Sequence, residues 1–275
     1  MWPTEPAKTL ISIFEAAGRY AIDKTEYVGG LTIQFWRGLR AIWKVNPITG
    51  SRLRWQNTVR TMAVVGFDAL PVVCLIAGAT GLIMAFQGGA ELRRFGALKF
   101  VINLVGVSMT RELGPLMTAI VVIGRSGSSF SAEIGTMVVT EEVDALRTMA
   151  LDPIEFLLTP KYLAMMIMMP CLTVAAVASG ILAGAIFIYF TLDMSLGVYL
   201  RATFDALHMR DIVSSMIKAI AFGTIIVQVG CYEGFNVSGG PEGVGRSTTS
   251  AVVKAIFLVV LADLLFTAFF YFFWQ

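Results

Sequence analysis

Five apolar stretches dominate this sequence, and each is long enough to cross the hydrocarbon core of a bilayer as a helix. They run approximately from Met62 to Phe86, Val101 to Ile123, Tyr162 to Phe190, Ile212 to Tyr232 and Ala251 to Phe273. Lipid offers the backbone no hydrogen-bond partner, so only helices or closed barrels can span it, and these stretches lack the alternating polarity of barrel strands. The sequence therefore predicts an all-α integral membrane protein with five spans.

Composition agrees with a membrane environment and excludes several other classes of protein. Among the 275 residues, 56% are hydrophobic and only 15% are charged, with a mean hydropathy of +0.75. Soluble proteins are nearer a quarter charged, so this chain has more apolar side chain than a globule of its size could bury. The net charge of +2 gives no indication of a nucleic acid partner. A soluble enzyme, a disordered chain and a secreted disulfide scaffold are excluded.

The segment before the first span has a different pattern. From Lys8 to Lys44, apolar residues recur near helical spacing with charges between them, and Trp36 and Trp43 stand beside basic residues. This mixture is typical of an amphipathic helix that lies in the headgroup layer of a membrane. We therefore predict an interfacial segment over residues 1–60 and a five-span domain over residues 61–275.

Basic residues concentrate immediately before the first span, which predicts that this flank faces the cytoplasm. They are Arg37, Arg40, Lys44, Arg52, Arg54 and Arg60. Five spans then place the C-terminus outside and the segment between the second and third spans inside. The stretch from Met1 to Leu10 lacks the features of a removable signal peptide, so we expect the chain to be retained whole.

The segment between the second and third spans, residues 124–160, is too regular for a flexible linker. Apolar residues share a helical face in its first part, and an acidic edge follows. That edge consists of Glu141, Glu142 and Asp144, with Arg147 beside them. Asp152 before Pro153 is a typical helix start, and Thr159 before Pro160 repeats the pattern where the third span begins. We predict a short cytoplasmic helical hairpin, suited to receive force from a cytosolic motor.

Charged residues inside spans need an explanation, because each costs at least about 2.5–3.5 kcal/mol at the membrane centre unless it is paired or hydrated. Six lie in or near the predicted spans: Asp68, Arg111, Glu112, Lys218, Lys254 and Asp263. Three are acidic and three basic, so mutual pairing could neutralise the set. Lys218 is the candidate partner of Glu112, either as an ion pair that fixes helix packing or as a polar element at the foot of a substrate cavity.

Small residues recur at four-residue spacing in two spans, as in helices that pack closely in lipid. The stripes are Ala77, Gly81 and Ala85 in the first span, and Ala175, Ser179 and Ala183 beside Ala176, Gly180 and Gly184 in the third. The spacing fits tight packing within one subunit as well as a dimer seam.

The chain carries no recognisable motif for catalysis, metal binding or nucleotide binding. The glycines at Gly124 and Gly127 are not followed by the Lys-Ser or Lys-Thr pair of a phosphate-binding loop. His208 is the only histidine, and the three cysteines are far apart in apolar stretches, so no metal site is predicted. We predict no catalytic residue and no cofactor bound by this chain.

Two other kinds of transporter remain open on these grounds. A secondary transporter or channel for a small solute would explain charges within spans without any ATPase. An ABC importer for small solutes would share a cytoplasmic coupling loop, but the Glu-Ala-Ala signature of that loop, with its later Gly and Leu-Pro, is not reproduced here.

Several motifs resemble the MlaE (YrbE) family of permeases, and they occur in the family's order from about Gly66 to the C-terminus. They are Thr110-Arg111-Glu112-Leu113-Gly114-Pro115, Gly124-Arg125-Ser126-Gly127, Ala132-Glu133-Ile134-Gly135-Thr136-Met137, Thr140-Glu141-Glu142, Asp144-Ala145-Leu146, Met149, Asp152-Pro153 and Glu242-Gly243-Val244-Gly245-Arg246-Ser247-Thr248-Thr249.

The resemblance implies the permease subunit of an ABC transporter that moves phospholipids and maintains outer-membrane lipid asymmetry. It implies a bacterial inner-membrane protein with a cytoplasmic N-terminus and a periplasmic C-terminus. The implied partners are a second permease subunit, in a homodimer or in a pair of two related permeases, a dimer of cytosolic MlaF-like ATPases that use ATP and Mg²⁺, and a periplasmic ring of MlaD-like Mce-domain subunits. A phospholipid would occupy a cavity at the dimer centre.

The resemblance also assigns roles to particular residues. Charged core positions of the substrate cavity correspond to Glu112 and Lys218, with Arg111 beside them, and the cavity mouth lies near Gln87, Leu92 and Phe95. The positions implied for ATPase coupling are Glu133, Thr140, Glu141, Glu142, Asp144, Arg147, Met149 and Asp152.

Overall fold

The computed structural model describes residues 18, 22, 25–41, 52–97, 99–192 and 195–273. Within these residues every regular element is helical. Five helical stretches are long and apolar enough to span a membrane, and we number them as spans one to five: Trp55–Arg94, Phe100–Val139, Pro153–Thr191, Met209–Phe235 and Gly240–Phe273. The prediction of an all-α membrane protein with five spans is confirmed.

The first two spans are built from shorter helices joined end to end by π-helical turns. Helix α1 covers residues 25–41. It is followed by α2 (Arg52–Met62), α3 (Leu70–Arg94), α4 (Phe100–Ser108), α5 (Gly114–Val122), α6 (Ser128–Val139), α7 (Glu142–Thr148), α8 (Pro153–Leu192), α9 (Leu196–Ala206), α10 (Met209–Phe235) and α11 (Gly240–Phe273). The π-helical turns are Ala63–Phe67, Met109–Leu113 and Ile123–Gly127.

Prolines account for the first two π-helical turns. Proline lacks a backbone N–H, and in a regular α-helix its ring clashes with the carbonyl four residues earlier. For Pro71 and Pro115 those carbonyls belong to Phe67 and Arg111, which both lie inside π-helical turns. The wider turn accommodates the ring, so the helix continues across the membrane.

The bundle has two ends, which we name by the short helix at each. The α7 end carries residues 140–152 and the turn over residues 236–239 between α10 and α11. The α9 end carries the connection between α3 and α4 together with α9. At the α9 end the Tyr199 hydroxyl donates to the Ile181 carbonyl at 3.0 Å, and burial raises the pKa of Tyr199. This neutral, buried tyrosine ties α9 to span three.

Span two extends further than the sequence predicts. The predicted span ends at Ile123, whereas the helix continues through α6, which packs on α10 and α11. A Cβ atom at Gly230 would lie 2.9 Å from the carbonyl oxygen of Gly127. The small residues of this stretch therefore allow close helix packing in the membrane, which the sequence pattern alone does not distinguish from a loop.

Span three begins at Pro153, the first of the two helix starts that the sequence predicted. The Oδ1 atom of Asp152 accepts the N–H of Ile154 at 2.9 Å, and α8 starts at Pro153. The second predicted start, at Thr159 and Pro160, is wrong, because α8 runs through Pro160 and the Thr159 hydroxyl donates to the Glu155 carbonyl at 2.7 Å. A 40-residue helix is about 60 Å long, so α8 extends well beyond the hydrocarbon core.

The small-residue stripes of spans one and three face each other within one chain. A Cβ atom at Gly81 would overlap the carbonyl oxygen of Gly180, and one at Gly180 would lie 3.1 Å from that of Ala77. Ala77, Ala85 and Ala176 are buried in the same contact region. The stripes therefore pack α3 on α8. Residue spacing alone did not show whether they pack within one subunit or between two, and the structure uses them within one subunit.

We expect Gly81→Ala to lower the free energy of unfolding by about 1–3 kcal/mol or more, because the added methyl group meets backbone that cannot rotate away. The measurement is the apparent melting temperature of the purified protein in detergent. Gly78→Ala is the matched control, since its Cβ would have no neighbour closer than 3.8 Å. Equal melting temperatures for the two variants would contradict the packing described above.

Helix α1 contacts the bundle through only one side. Gln34 and Ala41 are buried, while Val28 and Trp36 are 60% and 57% exposed. The Gln228 side chain donates from Nε2 to the Leu31 carbonyl at 2.7 Å, which ties α1 to span four. The exposed apolar side suits the predicted headgroup layer. The predicted interfacial residues Trp43 and Lys44 lie outside the described residues.

Candidate functional site

A cluster of charged side chains lies between spans two, four and five, toward the α9 end. Lys218 on α10 is 1% exposed and forms an ion pair with Glu112. Its Nζ atom lies 2.8 Å from Asp263 Oδ1 and donates to Thr267 Oγ1 at 2.8 Å. The Thr267 hydroxyl donates to Glu112 Oε1 at 3.1 Å. We call these four residues the core charge cluster.

The core charge cluster places two carboxylates around one buried ammonium group. The structure brings Glu112 and Lys218 together, the pair that the sequence suggested, and adds Asp263 from α11. Thr267 was missed, because a hydroxyl carries no charge to mark it. The available signal was its position one helical turn after Asp263, on the same helix face.

Three of the other intramembrane charges have partners outside the set of six. The sequence left mutual pairing within the set as one way to neutralise it, and the structure adds partners from elsewhere. Asp68 pairs with Arg125 at 3.1 Å, Arg111 with Asp211 at 2.6 Å and Lys254 with Glu233 at 2.8 Å. These partners lie just outside the predicted span boundaries, so they were not among the six intramembrane charges.

Arg111 and Glu112 both reach α10, although they are neighbours in the sequence. Arg111 contacts Asp211 and Glu112 contacts Lys218, and these partners are two helical turns apart on one face of α10. Asp211 also accepts the backbone N–H of His208 at 3.0 Å and so caps α10. The π-helical turn Met109–Leu113 is therefore fixed to span four at two points.

Gln87 and Leu92 line an open groove of about 720 Å³ between the end of α3 and α4. Most of its wall is apolar, with Met84, Leu104 and Val107 among the lining residues. Phe95, predicted with Gln87 and Leu92, is 80% exposed at the end of α3 and does not line the groove. Ser108, at one end of the groove, is one helical turn from Glu112 of the core charge cluster.

Helix α7 is held in place by backbone geometry at both of its ends. Glu141 and Ala150 adopt φ values of 61° and 56°, in the left-handed region that residues other than glycine rarely occupy. After α7, the Leu151 N–H donates to the Leu146 carbonyl at 3.0 Å, as in a Schellman motif. Val143 is 4% exposed and anchors the helix. The loop is thus a defined structure and not a linker.

Most of the residues predicted for ATPase coupling lie in this loop. Arg147 Nη1 is 2.8 Å from Asp144 Oδ1, and the Thr140 hydroxyl donates to Glu142 Oε1 at 3.1 Å. Met149 is 68% exposed although it is apolar. Glu141 immediately precedes α7, and Asp152, which caps α8, ends the loop. The loop therefore presents charged side chains and one methionine on the surface of the α7 end.

Glu133 was predicted with the coupling residues but lies apart from them. It is on α6, and its Oε2 atom is 2.5 Å from Lys161 Nζ on α8. Lys161 is 5% exposed. This ion pair bridges spans two and three beneath α7.

A third group of charges joins α1 to the bundle at the α7 end. Lys254 Nζ is 2.8 Å from Glu233 Oε1 and 4.4 Å from the ring centre of Tyr27. Burial, and then the negative charge of Glu233, raise the pKa of Tyr27, so its hydroxyl stays neutral. Among the described residues, no group of three His, Cys, Asp or Glu side chains could hold a metal ion.

Comparison with known proteins shows similarity over most of the chain. The family model described as permease MlaE matches residues 58–269. A "probable ABC transporter permease protein" of Rickettsia prowazekii is 37% identical over 262 residues, which are 95% of this chain and 99% of that protein. A protein of the same description from Synechocystis is 34% identical over 216 residues, 78% of this chain and 82% of the relative. The chloroplastic protein TRIGALACTOSYLDIACYLGLYCEROL 1 of Arabidopsis thaliana is 36% identical over 240 residues, 86% of this chain and 69% of the relative.

Proposed function

The chain belongs to the MlaE permease family, and from this membership we propose that it moves phospholipids between the bacterial inner membrane and a periplasmic Mce-domain partner. It is a multi-pass membrane permease whose relatives are named as ABC transporter permeases. The observation that best supports a lipid substrate is the open apolar groove between α3 and α4. Transport of this kind would maintain the lipid asymmetry of the outer membrane.

The groove suits an acyl chain better than a small polar solute. Burial of each CH₂ group contributes about 0.8 kcal/mol, so an apolar wall favours a long hydrocarbon chain. Gln87, Glu91 and Asn103 stand among the apolar lining residues, where they could meet the polar headgroup. A relative from Arabidopsis carries the name of a glycerolipid, trigalactosyldiacylglycerol, which also supports a lipid substrate.

The energy for transport comes, in this proposal, from a cytosolic ATPase that docks on α7. The relatives' description as ABC transporter permeases implies an ATPase subunit. Helix α7 follows α6 of span two and precedes α8 of span three, and α6 also packs on α10 and α11. A push on α7 would therefore move the helices that carry Glu112, Lys218 and Asp263.

The proposed assembly follows from the same membership. Two copies of this chain form the membrane core, with a dimer of MlaF-like ATPases at the α7 end and an MlaD-like ring at the α9 end. The α7 end would then be cytoplasmic and the C-terminus periplasmic, in agreement with the basic residues before span one.

Reconstitution tests the proposal directly. The permease is placed in liposomes with its ATPase and Mce-domain partners, and transfer of labelled phospholipid is followed in each direction. We expect transfer that requires ATP hydrolysis. Transfer that persists at the same rate without ATP would instead favour a secondary transporter or channel.

We expect Leu104→Trp to reduce labelled-phospholipid transfer by at least about tenfold, because the larger indole group would narrow the groove at the position where an acyl chain would lie. Copurification of the ATPase should be unchanged, since the groove is far from α7. Leu75→Trp is the control, because Leu75 is 72% exposed on the same α3 helix and does not line the groove. Equal transfer by both variants would count against the groove as the lipid path.

A further inference from the structure

A second cavity lies at the α7 end, opposite to the groove. Its volume is about 470 Å³, and its walls come from the beginning of span one, from the Ile123–Gly127 turn with α6, and from the beginning of α8. Three basic side chains, Arg60, Arg125 and Lys161, line it together with one carboxylate, Glu133. Of the residues given roles above, Glu133 alone, assigned to ATPase coupling by the resemblance, lines this cavity.

Two of the three cations are already held by carboxylates. Lys161 Nζ is 2.5 Å from Glu133 Oε2 and 4.9 Å from the ring centre of Phe130. Arg125 Nη2 is 3.1 Å from Asp68 Oδ2, and its Nη1 donates to the Val64 carbonyl at 3.0 Å. These contacts fix the positions of both cations in the cavity wall.

Arg60 makes no ion pair with any residue that the structure describes. It stands at the end of α2, and its side chain lines the cavity. Three cations and two carboxylates leave one positive charge in excess, so the cavity can accept a single negative charge. A phosphodiester group carries such a charge and offers oxygen atoms that accept charge-assisted hydrogen bonds from arginine and lysine.

The remaining wall of the cavity indicates that the phosphate is attached to a lipid. Val65, Leu157 and Pro160 line it beside the cations, and Arg60 immediately precedes the long apolar run of span one. A phospholipid needs cations for its phosphate and an apolar wall for its glycerol and the start of its acyl chains. In other membrane proteins, basic pockets between helices bind anionic lipid headgroups. A free phosphate ion would gain nothing from the apolar side.

We propose that this cavity binds the phosphate of an anionic phospholipid from the membrane leaflet at the α7 end, with Arg60 as the side chain that selects for net negative charge. The site is separate from the groove between α3 and α4, and it does not depend on transport. Because its walls belong to spans one, two and three, a bound lipid would hold these spans together beneath α7.

Lipid binding to the purified full-length protein in detergent tests the proposal. Native mass spectrometry is used to titrate phosphatidylglycerol and, separately, phosphatidylcholine, with inorganic phosphate as a competitor. We expect phosphatidylglycerol to bind about tenfold more weakly to Arg60→Gln, through loss of one charge-assisted contact. Phosphatidylcholine, whose choline cation cancels the charge of its phosphate, should bind weakly to both proteins. Arg246→Gln is the matched control, because Arg246 is an exposed arginine at the same end that pairs with Glu242 away from the cavity.

Three results would overturn the proposal. Equal weakening in Arg60→Gln and Arg246→Gln would mean that lipid binding reflects surface charge alone. Complete displacement of the lipid by millimolar inorganic phosphate would identify a site for the free ion. Unchanged lipid binding by Arg60→Gln, with loss of ATPase copurification, would assign Arg60 to a protein contact. Arg60 is exposed, so its replacement should leave the melting temperature of the protein unchanged, and this is measured in parallel.

Discussion

Lys218→Met is expected to lower the free energy of unfolding by about 3–5 kcal/mol, the usual effect of removing one partner from a buried ion pair. Lys218 is 1% exposed and is the shared cation of Glu112 and Asp263. Without it, two carboxylates face each other inside the bundle with no opposite charge. The measurement is the apparent melting temperature in detergent, together with ATP-dependent lipid transfer.

Removing the carboxylates as well should recover much of this loss. A triple variant combines Lys218→Met with Glu112→Gln and Asp263→Asn, so no charge is left in the cluster. We expect its melting temperature to be higher than that of Lys218→Met alone. Arg246→Met serves as a control for loss of an exposed ion pair, whose effect should stay within about 1 kcal/mol. If the combined variant were as unstable as the single one, electrostatic repulsion would not be the cause.

Recovered stability without recovered transport would distinguish two roles of the core charge cluster. A purely structural ion pair can be replaced by neutral side chains without loss of activity. A polar element that changes during transport cannot, because its charges interact differently in the two states of the bundle. We expect the combined variant to fold but to transfer lipid poorly.

Reversing the acidic edge of α7 should disconnect the permease from its ATPase. We expect Glu142→Lys with Asp144→Lys to reduce copurification of the ATPase by at least about tenfold, because like charges would replace opposite ones at the docking surface. Fold and melting temperature should be retained, since Asp144 and Arg147 are both 66% exposed and their pair contributes little to stability.

The matched control for this experiment lies at the other end of the bundle. Glu91 and Arg94 form an ion pair with the same three-residue spacing, and their side chains are 64% and 75% exposed. Glu91→Lys should leave ATPase copurification unchanged. Similar losses for Glu91→Lys and for the α7 double variant would exclude α7 as the specific docking site.

The sequence predicted the spans well but not their boundaries. Hydropathy marked all five, yet span two continues from Ile123 to Val139 and α8 begins nine residues before Tyr162. Hydropathy measures the side chains of one segment, whereas the end of a helix depends on what packs beside it. The glycine and serine residues after Ile123 resembled a loop because their packing partner, α10, is distant in sequence.

The candidate site likewise has features that the sequence predicts and features that it does not. The glycine stripes, the Asp152 cap and the Glu112–Lys218 pair could be predicted, because spacing or opposite charge marks them. The choice of Asp211, Arg125 and Glu233 as partners for other charges could not, since many pairings would neutralise the same set. Thr267 could have been noted from its place one helical turn after Asp263, but its contact with Glu112 and the shape of the groove depend on where α11 and α4 lie.

The sequence by itself determined that this protein lies in a membrane, that it is helical and how many spans it has. These follow from local properties, because a run of apolar side chains in lipid has few alternatives to a helix. Only the tertiary structure decided which stripes face each other, which carboxylates surround Lys218, and where the two cavities lie. Such features arise when segments about 100 residues apart meet, and their geometry depends on helix packing that no local pattern records.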